Sequence, residues 1–96
     1  MYGNQEYPEI LFFSSTHCAP CKPVEEMLKR VNISMFGKRL RISKIDVENN
    51  SRLTQEHKIT SLPTVIIGDK RLMVNITDED LVDAILFTIC TSIQLD

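Results

Sequence analysis

The chain has 96 residues, of which 43% are hydrophobic and 25% are charged, and its formal net charge is −2. This length and composition are typical of one soluble globular domain, which we expect to span residues 1–96 with residues 1–8 as a loose lead-in. The small negative charge offers no basic surface for nucleic acid or an anionic membrane. No apolar run approaches the roughly 20 residues of a transmembrane helix.

The N-terminal segment and the cysteine content favour a cytoplasmic location. Residues 1–9 carry two acidic side chains, no basic side chain and no apolar stretch, unlike a secretory signal. The chain has three cysteines, an odd number, whereas a disulfide-stapled secreted domain usually has a larger, even set. We therefore expect a protein of the cytoplasm.

The first half of the chain predicts a strand, a helix and a second strand. Residues 9–14 form a short apolar run of strand length. A helical pattern begins at Pro20 and should end between residues 32 and 37. Residues 39–47 alternate as a strand, with a possible slip in phase at Ser43–Lys44. The apolar positions of the helix, spaced i, i+3, i+4 and i+7, are Val24, Met27, Leu28 and Val31.

The second half predicts a short helix, a hairpin and a final helix. Polar residues at 49–51 can cap a helix that runs to about His57. Residues 64–67 and 70–75 should pair as a hairpin around Gly68–Asp69. Thr77 is a good N-cap for the last helix, and the acidic residues after it suit a helix N-terminus. The apolar face predicted for this helix contains Leu81, Val82, Ile85, Leu86, Ile89 and Ile93.

The predicted element order is therefore β-α-β-α-β-β-α. Because a helix joins the first two strands, they should be parallel, whereas the hairpin strands are antiparallel. The expected fold class is α/β, with a four-stranded mixed sheet flanked by helices.

Chemistry is concentrated in Cys18-Ala19-Pro20-Cys21, which lies where the first strand passes into the first helix. The partial positive charge and the unsatisfied N–H groups of a helix N-terminus favour a thiolate at Cys18. A thiolate attacks disulfides, and Cys21, about one turn further inward, can then attack Cys18 and release the product.

Two other interpretations of the cysteine pair remain open. One is a zinc half-site, which needs further ligands. The available candidates are His17, His57 and Cys90, but Cys90 should lie on the apolar side of the last helix as a core residue. The other is a structural pair without a redox role. The position of the pair between strand and helix favours redox chemistry over both.

Two motifs resemble the thioredoxin superfamily. Residues 12–22 (FFSSTHCAPCK) resemble its active-site segment, and Ser61-Leu62-Pro63-Thr64 resembles its cis-proline loop. The resemblance implies a thioredoxin-like fold and a protein dithiol–disulfide oxidoreductase in which Cys18 is the nucleophile and Cys21 the resolving cysteine. It further implies a cis Pro63 packed against both cysteines.

The resemblance also implies how substrates and electrons reach the site. Substrates would contact Ala19, Pro20, Leu62 and Thr64. A flavin-dependent thioredoxin reductase would supply electrons, and the protein would act on protein disulfides. Since nothing in the sequence suggests an obligate interface, we expect a monomer. No metal and no bound cofactor are expected besides the redox-active Cys18–Cys21 disulfide.

Two positions depart from the family pattern. His17 replaces the usual Trp before the first cysteine, and Phe12 replaces the usual buried Asp beneath the second. The Asp helps to move protons at the buried thiol, so its absence puts the proton route in doubt. His17 could assist the thiolate or the proton, because imidazole titrates near neutral pH; alternatively it is an exposed loop residue without effect.

Two alternative functions stay open. The chain could be a glutathione-linked glutaredoxin, with Thr77–Asp78 holding the γ-glutamyl end of glutathione, although Val74–Asn75 replaces the usual Gly-Gly. It could also be a non-catalytic adaptor domain, although such domains usually lose one cysteine.

Pro20 removes a donor N–H near Cys18, which favours a reductase over an oxidase. A second nearby proline, Pro23, is interpreted as structural.

Overall fold

The predicted order of elements is confirmed in the computed structural model, which describes residues 7–92 except for the side chain of Ser92. The elements are β1 (Glu9–Ser14), α1 (Cys21–Phe36), β2 (Arg41–Asp46), α2 (Ser51–Glu56), β3 (Thr64–Ile67), β4 (Lys70–Leu72) and α3 (Asp78–Ser92).

Thr77 and Asp80 cap α3 reciprocally, because the backbone N–H of each residue donates to the side-chain oxygen of the other over 3.1 Å.

The sheet is mixed, and its strands lie in the order β2-β1-β3-β4. β1 pairs with β2 in parallel and with β3 in antiparallel fashion, and β4 closes the hairpin. The predicted four-stranded mixed sheet is therefore confirmed. β1 is central because both its faces are apolar: Ile10, Phe12 and Phe13 are almost completely buried. The active-site motif directly follows this central strand.

The slip in phase expected at Ser43–Lys44 of β2 changes the face of the sheet to which the apolar side chains point. It does not interrupt the pairing of β2 with β1. The register with β1 runs without interruption from Glu9↔Arg41 to Ser14↔Asp46. Ile42 and Ile45 lie three positions apart, so they point to opposite faces of the sheet. Both faces of the sheet therefore receive an apolar residue from this strand.

α1 presents one buried stripe to the sheet and ends at a glycine. Gly37 adopts a left-handed conformation with φ of 58°, which an L-residue with a side chain rarely tolerates. Pro23 lies in the first turn, where a backbone N–H has no acceptor within the helix, so the proline removes no bond from the ladder. The buried residues of α1 are Cys21, Val24, Leu28, Val31 and Phe36.

The apolar face of α3 is narrower than the sequence predicts. Its buried row is Leu81, Ile85 and Ile89, with Ala84 beside it. Leu86 and Cys90 are exposed, so the predictions that they face the core are wrong. They are four residues apart and about 100° around the helix from the buried row, beyond the reach of the sheet. Ile93, also predicted for this face, lies outside the described residues.

β4 ends at Leu72, three residues earlier than predicted. Asn75 has a positive φ of 53°, which turns the chain towards α3. Residues 73–75 lie outside the sheet and line a surface next to the start of α1. Within residues 7–92, no helix combines the length and apolarity needed to cross a bilayer.

Candidate active site

Cys18 and Cys21 form a disulfide at the junction of β1 and α1. Their sulfurs are 2.06 Å apart and their Cα atoms 5.4 Å apart. Cys18 lies in the turn before the helix and is partly exposed, whereas Cys21 is the first helical residue and is buried, with 4% of its surface exposed. The pair thus has an accessible outer sulfur and an inner sulfur.

The backbone donors at the helix start are arranged differently from the sequence prediction. The Cys21 N–H donates to the Cys18 carbonyl and the Lys22 N–H to the Ala19 carbonyl, each over 3.2 Å. Pro20 and Pro23 contribute no N–H. In this disulfide form the Cys21 and Lys22 N–H groups are therefore engaged in turn bonds, and these two are not the unpaired donors that the sequence predicts at the helix start.

The proline loop has the conformation that the family resemblance implies. The Leu62–Pro63 peptide bond is cis, and Pro63 is buried. Thr64 is fully buried, and its hydroxyl donates to the Ser61 carbonyl over 2.7 Å. Leu62 is half-buried and packs against the same core cluster as Cys18. The hydrogen bond spans Pro63 and thereby fixes the shape of the loop itself.

An apolar groove connects the redox motif to the proline loop. Pro20 and the Leu62–Pro63 pair line one part of the groove, which encloses about 430 Å³. Of the other two predicted substrate-contact residues, Ala19 is exposed at the tip of the motif and Thr64 is buried, and neither lines the groove. The remaining lining of this surface, which we name the proline groove, consists of Pro23, Val24, Met27, Ser61, Met73, Val74, Asn75 and Ile76.

The sequence interpretation missed the part of the groove that follows β4. It assigned residues 70–75 to a strand, whereas Met73 and Val74 lie outside the sheet and line the groove. One signal was available: Asn75 stands two residues before the N-cap Thr77, and Asn is enriched in the left-handed conformation. Pro23, interpreted as purely structural, also lines the groove.

The two departures from the family pattern occupy different environments. His17 is exposed, and its backbone N–H donates to the Ser15 hydroxyl over 3.3 Å. Phe12 is 1% exposed and belongs to the same core cluster as Cys21. Lys44 pairs with Phe12 in the β1–β2 register, and its Nζ lies 3.1 Å from Oε1 of Glu25 on α1. The Lys44–Glu25 pair thus lies at the edge of the core around Cys21, while Phe12 fills the buried position itself with an aromatic ring.

The residues considered as further zinc ligands are used differently. The His57 ring packs against the Phe13 ring, with centroids 5.6 Å apart. Cys90 is exposed on α3. Across residues 7–92, no group of three or more His, Cys, Asp or Glu side chains is positioned to hold a metal ion.

Comparison with known proteins gives consistent matches. The family model described as Thioredoxin matches residues 3–88. Thioredoxin-1 of Drosophila melanogaster is 35% identical over 57 residues, which cover 59% of this chain and 52% of the fly protein. The bifunctional thioredoxin reductase/thioredoxin of Mycobacterium leprae is 33% identical over 60 residues, covering 62% of this chain and 13% of that protein. These matches therefore span about half or less of the relatives' own length.

The solved structures agree with the sequence relatives. Chloroplastic thioredoxin z superposes with a TM-score of 0.74 at 26% identity, and the match covers 90% of this chain and 81% of that one. The four-stranded mixed sheet, the cysteine pair at disulfide distance and the family match over residues 3–88 lead to one conclusion: the chain belongs to the thioredoxin family.

Proposed function

We propose that this protein is a thioredoxin-type protein disulfide reductase. The observation that carries the proposal is the Cys18–Cys21 disulfide, whose outer sulfur is partly exposed and whose motif borders the proline groove. An exposed sulfur can be attacked by, or can attack, a large partner, while a buried neighbour reacts only within the molecule.

The reaction proceeds by two exchanges. The Cys18 thiolate attacks a substrate disulfide; the substrate S–S bond breaks, a mixed disulfide forms, and one substrate thiolate leaves. The Cys21 thiolate then attacks the Cys18 sulfur and expels the second substrate thiolate. Two electrons pass to the substrate, its two sulfurs take up protons from Cys18, Cys21 and solvent, and the protein returns to its disulfide form.

Electrons would come from a flavin-dependent thioredoxin reductase. The printed name of the Mycobacterium leprae relative joins thioredoxin reductase and thioredoxin in one protein, which supports this pairing. We further propose a monomer without a bound cofactor, located in the cytoplasm and made of one domain. Cys90 is free, in keeping with a reducing compartment.

The structure disfavours the glutaredoxin alternative at the position proposed for glutathione. The Thr77 hydroxyl and the Asp80 carboxylate already cap each other's backbone N–H groups. Both oxygens of Asp78 accept from Arg30 of α1, over 2.9 and 3.0 Å. The Thr77 and Asp78 side chains, which would hold the γ-glutamyl end, are therefore engaged within the protein. Retention of both cysteines argues against the adaptor alternative.

Insulin reduction tests the proposal. With NADPH and a thioredoxin reductase, we expect the wild-type protein to turn over and Cys18→Ser to lose nearly all activity, because no nucleophile remains. Cys21→Ser should accumulate a mixed disulfide with the substrate, which non-reducing gel electrophoresis detects, because the second exchange is blocked. Cys90→Ser is the matched control and should keep full activity.

Three results would contradict the proposal. Activity that survives in Cys18→Ser would remove the nucleophile assignment. Turnover supported by glutathione and glutathione reductase, but not by thioredoxin reductase, would favour a glutaredoxin. A reduction potential above about −180 mV, far from the roughly −270 mV typical of thioredoxin, would indicate an oxidase or isomerase.

A further inference from the structure

We propose that Glu25 of α1 accepts the proton of the Cys21 thiol before Cys21 attacks the mixed disulfide, and that water in a cavity beside Phe12 carries the proton. The inference rests on the proposed function and deepens it, since it assigns a proton acceptor to the second exchange. The residue differs from the family pattern, in which the acidic side chain occupies the position of Phe12.

The second exchange needs a proton acceptor near the inner sulfur. Cys21 is 4% exposed, so bulk water has little direct access to its thiol. Burial disfavours the charged form of a thiol, so ionisation there depends on a nearby group. Phe12, which shares the core cluster with Cys21, has no atom that takes up a proton. The acceptor must therefore come from another residue close to Cys21.

Glu25 lies one helical turn after Cys21 on the same face of α1. Residues four apart in a helix have Cβ atoms about 5–6 Å apart, and helical side chains tilt towards the N-terminus, here towards Cys21. Glu25 is half-buried, with 27% of its side chain exposed, whereas the neighbouring Glu26 is exposed. Glu25 therefore combines proximity to the inner sulfur with access to solvent.

A cavity of about 210 Å³ lies beside Phe12 and Glu25. A water molecule takes up about 30 Å³ in the liquid, so the cavity has room for several. The Glu25 carboxylate and the ammonium groups of Lys29 and Lys44 line it and supply the polar partners that ordered water needs. Because the Phe12 ring belongs to the core cluster of Cys21, the inner end of the cavity adjoins the packing around the inner sulfur.

Ion pairs fix the carboxylate at this cavity. Lys44 Nζ of β2 lies 3.1 Å from Oε1 and 3.3 Å from Oε2 of Glu25, and Lys29 Nζ lies 3.8 Å from Oε2. Lys44 is the β2 residue that pairs with Phe12 of β1. The contact therefore holds a carboxylate next to the position where the family has its acidic residue.

Other ionisable groups near the redox motif are less well placed. Asp46, two residues after the ion-paired lysine of β2, accepts from the Glu48 N–H over 2.9 Å and from Asn49 Nδ2 over 3.1 Å. Its carboxylate is thus engaged in the turn that follows the strand. Lys22 and His17 are exposed, so they lie on the outer side of the motif and not beside the buried thiol.

The proposed step moves one proton and no electrons. The S–H bond of Cys21 breaks, and the proton passes through water to the Glu25 carboxylate, where an O–H bond forms. The Cys21 thiolate then attacks the Cys18 sulfur and expels the substrate thiolate. The partly exposed carboxylic acid of Glu25 returns the proton to solvent.

Stopped-flow absorbance with one equivalent of dithiobis(nitrobenzoate), a small disulfide that releases two coloured thiolates, separates the two exchanges. All proteins carry Cys90→Ser, since Cys90 is exposed and would also react. The first phase reports attack by Cys18 and the second reports attack by Cys21. Glu25→Gln should slow the second phase about tenfold or more, the scale of lost general-base catalysis, and leave the first phase near the wild-type rate.

A matched control and a rescue experiment distinguish proton transfer from a general effect of charge or structure. Glu26→Gln makes the same change at the adjacent exposed glutamate and should leave both phases near the wild-type rates. Formate, a small carboxylate that fits the cavity, should restore part of the second phase in Glu25→Gln and should not accelerate it in Glu26→Gln.

The outcomes separate this inference from the proposed function. The inference is wrong if the second phase is unchanged in Glu25→Gln, if Glu26→Gln slows it equally, or if formate does not accelerate the slowed phase. In each of these cases insulin reduction by the wild type still supports the proposed function. A wild-type protein without a first phase would instead overturn the proposed function itself.

Discussion

Phe12 shows how one residue changes the surroundings of a redox cysteine. In the central strand it is almost fully buried and shares a core cluster with Cys21, at the position where the family usually has an acidic residue. Its aromatic ring supplies apolar packing but no proton acceptor. Lys44, the partner of Phe12 in the β1–β2 register, forms an ion pair with Glu25 of α1 at the edge of the same region.

We expect Phe12→Ala to lower the free energy of unfolding by about 3–5 kcal/mol, because it removes a large buried side chain and leaves a cavity. Phe87→Ala is the matched control, since Phe87 is 51% exposed and its ring contacts Lys70 Nζ at 4.3 Å from the centroid. An exposed contact of this type contributes about 0.5–1 kcal/mol. Urea denaturation of the two oxidised variants measures the loss of unfolding free energy in each. Equal losses for Phe12→Ala and Phe87→Ala would contradict the core role of Phe12.

At the scale of the elements, the β3–β4 turn depends on its contact with α3. Gly68 has φ of 59°, and a Cβ placed there would lie 2.7 Å from Cγ2 and 2.9 Å from Oγ1 of Thr88. Gly37, at the end of α1, has nearly the same φ of 58°, but the nearest atom to an added Cβ is Nε of Arg39 at 3.9 Å. The two glycines share a backbone requirement and differ in their packing.

This pair allows backbone strain to be separated from packing. Gly37→Ala should cost about 1–2 kcal/mol of unfolding free energy through the left-handed conformation alone. Gly68→Ala should cost about 1–3 kcal/mol more, because the new methyl group collides with Thr88 on a neighbouring element. In a Thr88→Ala background the extra cost should largely disappear. Equal costs for the two glycine substitutions in urea denaturation would show that the close approach to α3 is unimportant.

At the scale of the whole molecule, the disulfide is a minor part of what holds the fold together. It closes a loop with a sequence separation of three, and the core cluster extends far from it along β1, β3, α1 and α3. The chain-entropy model gives a stabilisation of only about 2 kcal/mol for so small a loop. A catalyst that cycles between dithiol and disulfide needs a fold that survives both states.

We therefore expect the reduced protein to remain folded and to lose no more than about 2 kcal/mol of unfolding free energy. Circular dichroism with and without a reductant, followed by urea titration of each form, checks this. Cys18→Ser, which cannot form the bond, should match the reduced wild type. Unfolding upon reduction would show that the disulfide is structural and would weaken the redox proposal.

The sequence patterns alone determined the element order, the mixed sheet and the cysteine pair, while the cis-proline loop was implied by the resemblance to the thioredoxin superfamily. These features depend on short-range patterns: apolar periodicity, caps and turns extend over a few residues, and the Cys-x-x-Cys spacing lies within one helical turn. A cysteine pair at a strand-to-helix junction therefore has a recognisable chemistry before any tertiary contact is known.

Only the tertiary structure decided which apolar residues are covered and which are left as a surface. Leu86 and Cys90 fit the helical period of α3, but the sheet covers only the neighbouring row. Met73 and Val74 fit a strand, but β4 ends at Leu72 and both residues lie along the proline groove, just before the turn at Asn75. Burial depends on a partner element distant in sequence, so no local pattern can establish it.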